Sequence, residues 1–397
     1  MTLRDALVRH KPFVECKSRD TKNSKGVKWP RPSIRVWDQF TMATLNESYG
    51  HILDQPLPDE YTNKLPPTSS LNNLAVENDD GPKTLLAWND DTVLPLVKWS
   101  KQTMGLHTGM AIRHSYSDAS GEKVAKIPRN DCKKTVIDHI IGLGNAGKDT
   151  LVVGLGRTSS KWRASTLFGN LNPSVEERRW PLRQLANLCR ASETRYGYIQ
   201  TDDELVVCCF GSRGTQVQRG ETRYTDTTWT DWTVAFMPVP WNTELSKGAR
   251  HDVMTTELAL WWLCMLSLSD GHRALVDTED IVPINAWDIV WLDEDRGWIR
   301  RHRYSAVEEP TDAPPPPPYE TPEVDNAAVF AAQVGINGES HFALDSLDEF
   351  FNFGPVAVGQ EAVPAGEVVQ PNGGYDGTLI NVDVDVDEQV RQDNDLA

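Results

Sequence analysis

Several stretches of the 397-residue chain hold side chains whose types and spacing could do chemistry. GLGNAGKD (142–149) nearly spells the phosphate-cradling pattern GxxxxGK[ST]. Asp149 stands where a Mg²⁺-binding hydroxyl belongs, and the TLVVGLG that follows reads as a strand where the pattern needs a helix N-terminus. A hairpin turn is the expectation there. SSKWR (159–163), RRW (178–180) and RHR (301–303) set cations beside Trp or His. Such residues could grip phosphates and stack on bases, or be ordinary Arg–Trp packing. The nine His show no metal-ligand spacing and no nucleophile triad is evident. The six Cys lack a CxxC pair and read as reduced, buried hydrophobes.

Residues 134–210 must position whatever acts here. KTVIDHIIGL (134–143) and TLVVGLG (150–156) are β-branched apolar runs joined by turn residues, and so are expected strands. WPLRQLANLCRASET (180–194) has Leu182, Leu185, Leu188 and Cys189 at helical spacing, and YGYIQT and ELVVCCF follow as strands. Around this core, 36–53 and 90–104 are expected helices, the second started or interrupted at Pro95. Thr255–Asp270 is apolar on every side, a helix for the centre of a core. Residues 211–233 read as a loop, 233–241 as a strand and 282–305 as closing strands.

The element order and wording carry a resemblance. WDQFTMATLNESYGHIL, TSSKW, WPLRQLANLCRASETRYGYIQTDDELVV and ELALWWLCMLSLSDGHR resemble a large group of uncharacterised fungal proteins, over roughly residues 36–305. Asp138 on one strand, a short motif on the next and Gln184 on the following helix are similar to the PD-(D/E)XK nucleases, in particular their branch with a Gln on that helix. In those enzymes two carboxylates hold Mg²⁺ and a Lys activates the attacking water. The fungal group often reads GDTK where this chain has GLGR (154–157). The resemblance therefore implies an α+β fold, a mixed central sheet flanked by helices around a restriction-endonuclease-like core, with a degenerate centre.

Asp138 keeps the first carboxylate, Leu155 replaces the second and Arg157 replaces the Lys. An Arg stays charged and cannot act as a base, though it can hold phosphate with Lys161 and Arg163. The implied catalytic set is Asp138, Arg157 and Gln184, with Asp138 as the Mg²⁺ ligand. Two plainer readings stay open: Asp138 as a surface strand acid, and Gln184 as a helix residue bonding nearby backbone. Asp149 or Glu193 could also fold back to rebuild a metal site. An inactive or weak nuclease that binds nucleic acid or phosphate is the expectation.

Charge divides the chain. Residues 306–397 hold 19 Asp and Glu against one Arg, so the net −17 belongs to this stretch and the rest carries +1. This Pro-containing acidic tail is expected to be disordered. Pro316, Pro317 and Tyr319 form a PPxY sequence of the kind WW domains bind, and LDSLDEFFNF (344–353) resembles partner-binding segments. They support a second reading, a non-enzymatic adaptor. Residues 1–35, with ten Lys and Arg against three acids, read as a mobile basic arm ahead of a single domain at 36–305 with its core at 134–270. No apolar run could span a membrane and no secretory leader is visible, so an intracellular protein, cytoplasmic or nuclear, is expected.

Overall fold

A seven-stranded mixed sheet supports the rest of the structure. The computed structural model describes residues 1–311 apart from 20–21, 79–80, 117–137, 145–148, 168–174, 219–224, 244–251, 270 and 293–295. Within it the chain runs α1 (Leu3–Leu7), β1 (Glu15–Cys16), β2 (Ser33–Val36), α2 (Met42–Leu53), α3 (Asp59–Thr62), β3 (Ala75–Val76), α4 (Gly81–Thr103), β4 (Ile112–Tyr116), β5 (His139–Leu143) and β6 (Asp149–Gly156). It continues with α5 (Val175–Ser192), β7 (Tyr196–Gln200), β8 (Glu204–Gln218), β9 (Thr225–Pro240), α6 (Thr256–Leu268), β10 (Trp287–Trp291), β11 (Trp298–His302) and β12 (Glu308–Pro310). The main sheet has the order β2-β9-β8-β7-β6-β5-β4. Strands β4, β5 and β6 form an antiparallel meander, and β7 lies parallel to β6 after the α5 crossover. Strands β10–β12 make a separate antiparallel sheet.

Both faces of the central part of the main sheet are buried, and the period of two along its strands sorts side chains between two cores. On β8, Leu205, Val207 and Cys209 join the core containing α1, α2, α4 and α6. Val206, Cys208 and Phe210 join the core beneath α5, with Leu182, Leu185, Leu188 and Cys189. The expected all-apolar helix is α6: Thr255 Oγ1 accepts from Leu258 N at its start, and every residue of the helix is buried. Pro95 does not interrupt α4, which continues to Thr103 with Leu94, Leu96 and Val97 buried around it. Losing one main-chain donor costs less here than exposing that face would.

Two expectations need correction. The basic stretch 1–35 is not a free arm. Leu3, Ala6, Leu7 and Val14 are buried, and β2 extends the main sheet parallel to β9. Lys11 is sealed in the core, 2.8 Å from Glu257 and over the Trp241 ring at 3.5 Å. Its partners lie more than 200 residues away, so charge density alone resembled a solvated arm. Of the expected 211–233 loop, residues 211–218 belong instead to β8 and 225–233 to β9, whose pairing shifts register between Gly211 and Arg213. The β-branched Thr run favours extended backbone over a loop. Part of the unplaced 105–130 stretch is β4. The expected closing strands are β10 and β11, with β12 added beyond residue 305.

Candidate functional site

The three residues singled out for chemistry meet on the α5 side of the sheet. Asp138 immediately precedes β5, and Arg157 immediately follows β6. β5 and β6 pair His139 with Gly154, which brings Asp138 opposite the end of β6. Gly156 N donates to Asp138 Oδ2 at 3.0 Å. Arg157 Nη1 donates to the same oxygen at 3.1 Å, and Arg157 Nη2 donates to Gln184 Oε1 on α5 at 2.5 Å. Arg157 Nη1 also donates to Gly156 O. The guanidinium thus bridges the strand carboxylate and the helix amide, with the side chains of Arg157 and Asp138 only 13% and 18% exposed.

The donor set does not suit Mg²⁺. Position 155, where the resemblance to the nucleases leads one to expect a second carboxylate, is a fully buried Leu in the core beneath α5. The remaining carboxylate already faces a permanent cation, and an ion that takes oxygen ligands gains nothing from a guanidinium. Neither reserve acid is in position. Asp149 begins β6 and lies seven residues, about 23 Å of extended chain, from its far end. Glu193 follows α5, nine residues or about 13 Å of helix from Gln184.

Cations flank the cluster where the loop leaves β6. Arg163 Nη2 lies 2.7 Å from Asp203 and is half-exposed. Lys161 N bonds Thr158 O, and the Lys161 carbonyl accepts from Asn23 Nδ2. Ser159 is clasped by Asp202, its amide at 2.8 Å and its hydroxyl at 2.5 Å. Neighbouring Glu204 accepts from Ala164 N at 2.5 Å; burial outweighs that bond and raises its carboxyl to about 7. The interleaved Trp residues serve packing. Trp162 is buried with its Nε1 on Arg178 O, and Trp180 stacks under Arg183 at 4.0 Å. In the RHR stretch His302 is buried, Arg301 pairs with Glu308 and Arg303 with Asp288. Pro316, Pro317, Tyr319 and 344–353 lie outside the described residues.

The opposite face carries a constellation that sequence reasoning missed. Asp90 on α4 faces two imidazoles: His139 Nε2 at 2.7 Å from Oδ1, and His114 Nδ1 at 3.0 Å from Oδ2. Burial opposes ionisation of Asp90, but the two imidazoles together outweigh it and hold the carboxyl below its ordinary range. The Asp90 hydrogen bond raises His114. Tyr198 Oη lies 2.6 Å from His139 Nδ1. This contact crosses β6 because His139, Gly154 and Tyr198 form one row over three strands. A Cβ on Gly154 would lie 2.5 Å from the Tyr198 ring, so the glycine makes room for the contact. Spacings of 24 and 25 residues from Asp90 to His114 to His139 gave no local motif; a polar residue inside an apolar strand was the one available signal.

No family model, curated protein or solved structure matches the chain. Among the described residues no helix is long and apolar enough to cross a membrane.

Proposed function

We propose that this is a nuclease-like domain whose cleavage centre is silenced by its own Arg157, leaving a phosphate-contacting surface rather than a phosphodiesterase. The observation that carries this reading is the Asp138–Arg157–Gln184 bridge. Its support is physical. The elements run strand, strand, helix, strand, the order that the resemblance to PD-(D/E)XK enzymes implies, and the last strand pairs parallel with the second. The carboxylate, the Lys-replacing Arg and the helix Gln stand together at the carboxyl ends of two parallel strands, a usual ligand position in such sheets. In this reading Arg157 supplies the positive charge that a metal would bring. It supplies no open coordination position and cannot deprotonate a water. Phosphate contact falls to Lys161 and the half-exposed Arg163.

A cleavage assay on single- and double-stranded DNA and RNA with Mg²⁺ tests this. The expected result is no cleavage by the wild type, and cleavage gained by the Leu155→Asp/Arg157→Lys double variant, with circular dichroism checking its fold. Metal-dependent cleavage by the wild type that is lost in Asp138→Ala would overturn the reading. Phosphate contact is read separately. Binding of single-stranded nucleic acid should weaken with salt, and neutralising Lys161 and Arg163 together should flatten the salt slope by about two charges.

A further inference from the structure

We propose that Asp90, His114 and His139 form a binding site for a divalent transition metal of the zinc class, on the face of the sheet opposite Arg157. The three side chains offer two imidazole nitrogens and a carboxylate oxygen, all within 4.8 Å of one another. Zinc takes this mixture; Mg²⁺ and Ca²⁺ take oxygen. Tetrahedral bonds of about 2.0–2.1 Å place neighbouring donors about 3.3 Å apart. The imidazole nitrogens stand 2.7 and 3.0 Å from the carboxylate oxygens. The two contacts reach different carboxylate oxygens and the three donors lie within 4.8 Å of one another, so an ion entering between them draws them to that spacing by side-chain rotation.

The surroundings are those of a ligand set held in place. Tyr198 engages Nδ1 of His139 and leaves Nε2 aimed at Asp90; with Nδ1–H donating to the phenol oxygen, Nε2 presents its lone pair. Gly154 is the gap through which that contact runs. Asp90 and His139 are buried and His114 is exposed, so an ion reaches the site from the His114 side. Three donors among the described residues leave a fourth position for water or an added ligand, the arrangement of zinc sites that are not purely structural.

The test uses the full chain, without a polyhistidine tag, stripped by a chelator and titrated calorimetrically with Zn²⁺ in excess Mg²⁺; Co²⁺ serves as a spectroscopic probe. One equivalent should bind with Kd below about 10 µM, and Co²⁺ should give the visible absorption of a nitrogen-ligated ion. His114→Ala, at an exposed position where the fold should survive, should weaken binding by about 100-fold or more, and Tyr198→Phe by about 10-fold. Absence of zinc binding would overturn the proposal. So would binding that His114→Ala and Asp90→Asn both leave unchanged, as expected if the acidic residues 306–397 take the ion.

Discussion

Asp138 and His139 are adjacent in the chain and belong to opposite chemistries. Asp138 faces α5 and meets a guanidinium, a cation that keeps its charge and cannot leave. His139 faces α4 and meets Asp90 beside a second imidazole, groups that can exchange a proton for a metal. The pleat makes the separation, since one residue along a strand moves a side chain to the other face. One face has its positive charge built in. The other has the donors to recruit one.

Breaking each face separately sharpens the contrast. The largest loss is expected for Asp90→Ala. It leaves the wholly buried His139 without its carboxylate partner, and should cost about 3 kcal/mol in denaturant unfolding of the metal-free protein. Gly154→Ala pushes a methyl into the Tyr198 ring and should cost about 2–3 kcal/mol, reading out on the α4 face while Arg157 keeps its partners.

Glu204, beside the α5-face loop, gives a pH signature. Its carboxyl ionises near 7 when folded, against an ordinary 4.5, because burial penalises the charge. Between those values the folded chain holds the extra proton, so stability is fullest below pH 4.5 and falls as pH rises through 7. Glu204→Gln should remove a contribution on the order of 2 kcal/mol to that fall, measured as unfolding free energy at pH 5 and 7.5. Gln184→Ala should cost least, about 1 kcal/mol, because Arg157 retains Asp138 and the Gly156 carbonyl. An equal cost for Gln184→Ala and Asp90→Ala would remove the asymmetry between the faces.

Periodicity made the central strands, α5 and α6 legible. Leu182, Leu185 and Leu188 point to one face of a helix, and 256–268 has no polar face to expose. The α5-face cluster was legible because the order of elements that the resemblance implies sets Asp138, Arg157 and Gln184 on neighbouring strands and the following helix. The α4-face site was not, because a helix and two strands distant in sequence build it through sheet register. Lys11 was misread for the same reason: its acid, Glu257, lies on α6. Residues 211–218 and 225–233 looked like a loop because their extended form depends on the cross-strand partner, not on apolar alternation.

The most direct test is a paired titration of the stripped full-length protein with Mg²⁺ and Zn²⁺, followed by NMR of the imidazole and Arg157 side-chain signals. The account predicts that Zn²⁺ shifts His114 and His139 at one equivalent while Mg²⁺ leaves Arg157 unmoved. Binding of Mg²⁺ that displaces Arg157 and vanishes in Asp138→Ala would contradict it.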